Sequence, residues 1–423
     1  MICDDLSGPF GAPFSLLVGL CPEVENGYTH RLAPEGESVG KGVVLVHDWL
    51  TGLRGGEKCL DVLARAMPDA TLHTLLYRKG KTTAAIDSLR VVPSWLNRLP
   101  GVHRYYRGLL PVFPSVVERA WRFPDAELVV SMSHCVAKAA QAASGVPHVS
   151  YCFSPMRYAW QMRQQYFEGV GARGLKARVA DALLDRIRAW DLKTADRVTH
   201  FVAISDHIAR RIEECYGRKS EVIYPPVDTD YYTPAAPGEK APCREDFYLV
   251  VSALAPYKRF DLAISACQKL GRRLVVIGAG QAEASLKKIA GPETTFMGWQ
   301  PDSVIRDHLR RTTALLFPGE EDFGIVPVEA QACGAPVIAL GRGGAAETVR
   351  DLEGAGEPTG VLFEAPEVGS LVAAMERFEQ NRGAFDPQAA RRQAERFSTG
   401  RFELELLGYL DRVRAGVGRS QAA

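Results

Sequence analysis

The sequence predicts an α/β protein made of two doubly wound domains whose ligand edges face each other across a cleft. Three observations carry that prediction. Short apolar runs alternate with helical patterns in two series, a Pro- and Gly-rich stretch separates the series, and 423 residues are too many for one ordinary core. Strand–helix alternation at this spacing implies parallel βαβ units with helices on both faces. Ligands of such folds sit beyond the carboxyl ends of the strands.

Residues 1–41 carry scattered Gly, Pro and acidic residues without periodicity. They read as a disordered extension or a misassigned start. Their most signal-like piece, FSLLVGLC (14–21), lacks a positive flank, because no Lys or Arg stands in the first thirty residues. No apolar run approaches the roughly 20 residues that span a bilayer. Neither secretion nor a membrane helix is expected, and the expected location is the cytoplasm.

The first domain is expected over 42–235. KGVVLVHDW (41–49) reads as a buried parallel strand, and TGLRGGEKCLDVLARAM (51–67) as a helix with Cys59, Leu60, Leu63 and Met67 on one face. Further strands are expected at 127–132, 147–153 and 198–205. After the last comes a helix with Ile208 and Ile212 inward and Gly217 beyond its end. EVIYPPVDTDYYTPAAPGEKAP (221–242) breaks the rhythm and marks the boundary. The second domain is expected over 243–400, with strands at 247–252, 273–277, 314–317, 336–340 and 360–363. Residues 401–423 form a terminal helix and tail.

Net charge is +1, so no global field favours nucleic acid. The nine cysteines are never closer than 17 positions, which excludes Cys-x-x-Cys and Cys/His metal spacing and fits reduced, buried thiols. The Asp228–Thr229–Asp230 triplet has a metal-type spacing, but in the linker it reads as turn chemistry. VIGAG (276–280) starts a dinucleotide fingerprint and fails it, because Glu283 stands where the third glycine belongs.

Four stretches carry candidate chemistry. In LTGLRGGEK (50–58), Gly55 and Gly56 let amides at a helix start approach a phosphate, or else form a plain βα turn whose Glu57 complements the dipole. In ALAPYKRFDLAI (253–264), Lys258 and Arg259 stand at a helix start. The position opposes the macrodipole by about 0.3–1 kcal/mol per charge, which points to a compensating anion such as a diphosphate, or to two solvated charges. In GEEDFGIVPVEAQACGAPVIA (319–339), Pro327 fits a first helical position, with Glu329 in the first turn and Glu321 in the loop before it. Gly324 frees the backbone, so amides of Phe323, Gly324 and Ile325 can point at a ligand. Two carboxylates flanking exposed amides suit a molecule with hydroxyls at both ends and phosphates between; the plain reading is helix-start charge. Fourth, His47 and Asp48 end the first strand, and His134 lies just past a later one, at the same ligand edge. Asp48 can order a loop or meet an acceptor; His134 can hold a sugar hydroxyl or be a satisfied buried imidazole.

Two further segments mix cations with aromatics. SWLNRLPGVHRYYRGLLPVFPSVVERAW (94–121) carries Arg98, Arg104, Arg107 and Arg119, with Arg122 following, and SPMRYAWQMRQQYF (154–167) carries Arg157 and Arg163 beside Trp160 and Tyr166. They suit an anionic membrane surface or a diphosphate-lipid acceptor, or else are snorkelling helix surface.

Taken together, VHDWLTGLRGGEK, SMSHCVAK, YCFSPMRYAW, VIYPPVD, PYKRFDLAI, FMGW, FPGEEDFGIVPVEAQACGAPVIA and GRGGAAETV resemble the family-4 retaining glycosyltransferases of GT-B fold over roughly residues 42–415. More narrowly, they resemble bacterial mannosyltransferases of O-antigen and exopolysaccharide synthesis. The resemblance implies two Rossmann-like domains, the first acceptor-side and the second binding a nucleotide-sugar. It implies that Glu321 holds donor-sugar hydroxyls, Glu329 the ribose diol, and Lys258 the diphosphate. Phe323, Gly324 and Ile325 would offer amides, Gly55 and Gly56 would shape the loop near donor and acceptor, and His134 would contact the transferred sugar. It implies GDP-mannose as donor, a polyprenyl-diphosphate-linked or polysaccharide acceptor, possible peripheral contact with a membrane, and no metal or cofactor. One departure stands out: the family arginine five residues before the lysine is here Ala253, leaving Arg259 or Arg54 to replace it. A UDP-sugar transferase and a non-catalytic nucleotide-sugar-binding subunit remain the alternatives, with a sugar-nucleotide epimerase further off.

Overall fold

The computed structural model describes residues 42–160, 175–235 and 238–421. The extension 1–41, Arg163 and Tyr166 lie outside the described residues.

The first domain is built on a seven-stranded, wholly parallel sheet. Its strands are β1 (Val43–His47), β2 (Thr71–Thr74), β3 (Arg90–Pro93), β4 (Leu128–Ser133), β5 (His148–Cys152), β6 (His200–Ala203) and β7 (Ser220–Val222). The spatial order is β3-β2-β1-β4-β5-β6-β7. Strand order therefore reverses between β1 and β4. The second domain has β8 (Tyr248–Val251), β9 (Leu274–Ile277), β10 (Thr294–Gly298), β11 (Ala314–Phe317), β12 (Val337–Leu340) and β13 (Gly360–Phe363). These lie parallel in the order β10-β9-β8-β11-β12-β13, reversing between β8 and β11. Both sheets are Rossmann-like, and each has one switch point where its ligand crevice opens.

Central strands such as YLVV, ALLF and VIAL are buried at every position, which is why their apolar runs are continuous. Among the described residues, five strands lie outside the sequence expectation: Thr71–Thr74, Arg90–Pro93, Arg122–Phe123, Gln141–Ala142 and Thr294–Gly298. None is fully buried, so none carries such a run. Ser220–Val222 forms a further edge strand that reaches into the expected linker.

The helices that matter for the site are α1 (Gly55–Ala66), α2 (Leu175–Thr194), α3 (Asp206–Tyr216), α4 (Phe260–Leu270), α5 (Ile325–Ala332) and α6 (Thr399–Gln421). In α3, Ile208 and Ile212 are fully buried and Gly217 closes the helix at φ 65°. The terminal helix α6 returns to the first domain. Phe402, Leu406 and Leu410 are buried, and the Phe402 ring meets Tyr151 of β5 edge to face at 5.6 Å. Asp228 makes a turn, accepting from the Tyr231 amide at 2.9 Å.

Candidate active site

Both switch points bring candidate residues to the same crevice. In the first domain, β1 delivers His47 and Asp48, and β4 delivers His134. Asp48 is fully buried and its carboxylate accepts four amides: His134 at 2.7 Å and Cys135 at 3.0 Å on one oxygen, Val136 at 2.6 Å and Ala137 at 2.7 Å on the other. Both oxygens are taken up by the loop after β4, so Asp48 orders that loop. Its carboxyl is lifted above the ordinary range by burial, against the pull of those amides.

His134 completes the arrangement, with Nδ1 3.1 Å from an Asp48 oxygen and its ring edge to face with Trp49 at 4.6 Å. Burial, helped by the Arg54, Arg157 and Arg107 cations, pushes its pKa down to about 3. The imidazole is neutral at pH 7, with Nδ1–H donated to Asp48 and Nε2 remaining as acceptor.

Helix α1 starts at Gly55, and Glu57 caps it by accepting the Arg54 amide at 3.0 Å. Gly56 packs closely: a Cβ there would meet the Phe153 ring at a tight 3.2 Å and His47 Nε2 at 3.5 Å. The cap and the close packing are both structural, and they set the helix start at the crevice.

In the second domain the loop after β8 carries Lys258 and the loop after β11 carries Glu321. Lys258 donates to Glu321, and its side chain is only 3% exposed. The two loops touch through Gly319, where a Cβ would come within 3.0 Å of the Tyr257 and Lys258 backbone. Gly343 and Gly344 support the Glu321 loop from behind. The Gly344 amide donates to the Glu321 carbonyl at 2.8 Å, and a Cβ on Gly344 would collide with the Phe323 backbone. Phe323 itself is buried against Tyr224 and Phe397.

Gly324, at φ 81°, is the N-cap of α5, and the helix begins at Ile325. Pro327 is therefore its third residue rather than its first, at a position whose amide has no intrahelical partner. Glu329 falls in the second turn and is buried, so helix-start charge does not account for it. Its carboxyl is raised by burial, a shift that Lys58 opposes. Lys58 Nζ, from α1 of the other domain, lies 3.7 Å from Glu329 Oε1.

Arg259 departs from expectation. It adopts φ 53°, and its guanidinium bonds Asp261 at 3.1 Å and the Pro366 carbonyl at 3.4 Å. In the ligand-free structure its compensating anion is its neighbour two residues on, Asp261. Arg157 is paired across the crevice in the ligand-free structure. It donates to Asp322, whose other oxygen receives Arg211 at 2.7 Å.

Sequence reasoning passed over the residues that join the domains. Ser205 caps α3 and also donates to the Asp322 carbonyl at 2.6 Å. Glu347 accepts the Asp206 and His207 amides at 2.8 Å each, placing a carboxylate on the positive end of α3. Asp322 stands next to Glu321 in a stretch already singled out, and Glu347 lies in the quoted GRGGAAETV; what had no local signal was the partner.

Residues 53–231 match the model for Glycosyltransferase Family 4, and 237–397 match that for Glycosyl transferases group 1. The D-inositol 3-phosphate glycosyltransferases of Mycobacterium tuberculosis and Mycobacterium bovis are 30% identical over 230 residues, 49% of this chain and 47% of theirs. The match thus spans about half the length of these curated relatives. Among solved structures, the fold is shared with Anabaena Alr3699/HepE in complex with UDP and glucose (TM-score 0.63, 18% identity, 87% of this chain and 99% of that one). It is also shared with the lipopolysaccharide outer core galactosyltransferase WaaB in its apo form (TM-score 0.58, 15% identity, 88% and 99%). With two parallel Rossmann-like sheets and one matching model over each, the chain belongs to the family-4 glycosyltransferases of GT-B fold.

Proposed function

We propose that the chain transfers a hexose from a nucleotide-sugar to an acceptor hydroxyl with retention of configuration, most specifically mannose from GDP-mannose to a lipid-linked or polysaccharide acceptor. The observation that carries this reading is the arrangement around the start of α5. A carboxylate–lysine pair stands at each end, Glu321 with Lys258 and Glu329 with Lys58, and first-turn amides lie between them. A nucleotide-sugar has hydroxyls at both ends and a diphosphate in the middle, which matches that order of groups.

In this reading Glu321 accepts hydroxyls of the hexose and Glu329 those of the ribose. Lys258 and the amides of Gly324 and Ile325 meet the negative charge that grows on the departing diphosphate, the contribution a metal makes in other transferases. The acceptor hydroxyl attacks the face from which the diphosphate leaves, and the departing phosphate oxygen takes its proton. Neutral His134, held by Asp48, offers Nε2 to a hexose hydroxyl. The contacts made by Asp322, Ser205 and Glu347 close the crevice against water.

The Arg54, Arg107 and Arg157 cations around His134 favour an acceptor that carries phosphate. Exposed Trp95, Tyr105 and Val112, with exposed Arg98, Arg104, Arg119 and Arg122 in the same segment, support contact with an anionic membrane face. Among the described residues no helix is long and apolar enough to cross a membrane. The mannose assignment rests on the quoted motifs. A UDP-sugar is the second reading, because HepE shares the fold and binds UDP and glucose.

A thermal-shift panel tests the donor, since a ligand that binds only the folded form raises its stability. GDP-mannose is expected to raise the melting temperature. A shift with UDP-glucose and none with GDP-mannose overturns the mannose assignment, and binding without diphosphate release in the presence of any acceptor identifies a binding subunit.

A further inference from the structure

The position where the resemblance expects a second cation is Ala253. Ala253 has no charge, and Arg259 is engaged with Asp261 and Pro366. A donor held by its hexose on Glu321 and its ribose on Glu329 lays its diphosphate across the start of α5. Lys258 reaches that span from the hexose side. From the ribose side, the structure puts a lysine of the other domain.

Lys58 is the fourth residue of α1, just after the Gly55–Gly56 turn. Its Nζ is 3.7 Å from Glu329, beyond hydrogen-bond range, and its side chain is 36% exposed. Lys258 is locked by contrast, with a direct bond and 3% exposure. The Lys58 pair has no direct hydrogen bond, so Lys58 gives up only a 3.7 Å charge contact if ribose hydroxyls take its place on Glu329. Burial alone would lower the Lys58 pKa, but Glu329, Asp302 and Asp228 more than offset it and keep the ammonium charged. When ribose hydroxyls occupy Glu329, the ammonium is left without its partner, one flexible side chain away from the phosphates.

We infer that Lys58 is a donor-positioning residue that takes the diphosphate from the first domain once ribose occupies Glu329, supplying the cation that Ala253 does not. The inference rests on the nucleotide-sugar reading above. It makes the second phosphate the group that ties α1 to α5, so diphosphate binding and domain closure are one event.

Calorimetry on the full chain tests this with guanosine, GMP and GDP, and in parallel with uridine, UMP and UDP. In Lys58→Met the affinity gained from nucleoside to diphosphate is expected to fall about tenfold or more. Nucleoside affinity is expected to stay level or to rise, and Lys58→Arg is expected to recover most of the gain. Melting curves for both variants confirm the fold, and Lys58→Gln serves as a second neutral variant. Diphosphate affinity unchanged in Lys58→Met, or raised in step with the nucleoside, overturns the inference, because Lys58 is then only a competitor for Glu329. If the wild-type chain binds neither GDP nor UDP, the nucleotide-sugar reading itself falls, and the inference with it.

Discussion

Replacing Lys258 by alanine separates what this lysine does for the empty protein from what it does for a reaction. In the ligand-free structure its ammonium is 3% exposed and bonded to Glu321, itself 12% exposed. Removing one partner of a buried pair leaves the other charge uncompensated, at about 3–5 kcal/mol. The partial exposure of Glu321 lets water recover part of that, leaving about 2–3 kcal/mol. The melting midpoint should fall by roughly 4–12 °C for domains of this size. Turnover, read as release of nucleoside diphosphate, should fall roughly 10²–10³-fold, the cost of losing one electrostatic donor to the leaving group.

The discriminating variant is Lys258→Ala combined with Glu321→Met. It removes the stranded carboxylate, so stability should return to within about 1 kcal/mol of wild type, because replacing both partners is close to neutral. Turnover should stay low. Two results refute the reasoning. One is a double variant that regains turnover along with stability, which makes the pair a structural tie only. The other is a single variant that melts and turns over like wild type, which removes Lys258 from the site.

Three further perturbations follow from the same geometry. Asp48→Asn keeps the shape but offers one oxygen to four amides, stranding two buried donors at about 1–3 kcal/mol each; a chain that melts within 2 °C of wild type would contradict the loop-ordering role. Glu57 is pushed up to about 7 by burial, so the folded protein holds its proton more tightly than the unfolded one. Its contribution is most favourable below about pH 4.5 and is lost as pH rises through 7, so Glu57→Gln should match wild type near pH 4.5 and exceed it by ~3 kcal/mol above pH 7 in denaturant titrations; parallel curves for the two proteins would reject this. Asp322→Asn weakens the ties to Arg157 and Arg211, and small-angle scattering should show a larger radius of gyration; an unchanged radius would remove Asp322 as an inter-domain tie.

The two-domain α/β plan was legible because central parallel strands are buried on both faces and advertise themselves as apolar runs. Edge strands such as TTFMG, half-exposed, give no such run, and it takes the sheet to reveal them. The site was legible in its local parts. Glu321, Glu329, Lys258, Gly324 and His134 each announced themselves by neighbours within a few positions. Their partners did not. Lys58 meets Glu329, Arg157 meets Asp322, and Ser205 meets the Asp322 carbonyl, each across more than a hundred residues and from the other domain. The sequence at the start of α4 asks for anions at Lys258 and Arg259. In the empty protein those anions are Glu321 and Asp261, an answer that depends on which carboxylates the fold brings near.

That answer bears on how a charged donor enters a crevice holding buried carboxylates. Burial by itself raises the pKa of Glu329 and would favour a protonated acid, which accepts hydroxyls less well. Lys58 opposes that shift at Glu329, and Lys258 bonds Glu321 directly, so a cation stands beside each carboxylate. In the proposed function, the hydroxyls of a bound donor would take over the carboxylates while its diphosphate took over the lysines. Each protein charge would then exchange one partner for another, and none would be left alone in a low-dielectric site. The exchange is also graded. Lys258 gives up a direct bond to Glu321, whereas Lys58 gives up only a 3.7 Å pair with Glu329. The ribose end should therefore open first, so that the nucleotide is held before the hexose is drawn onto Glu321.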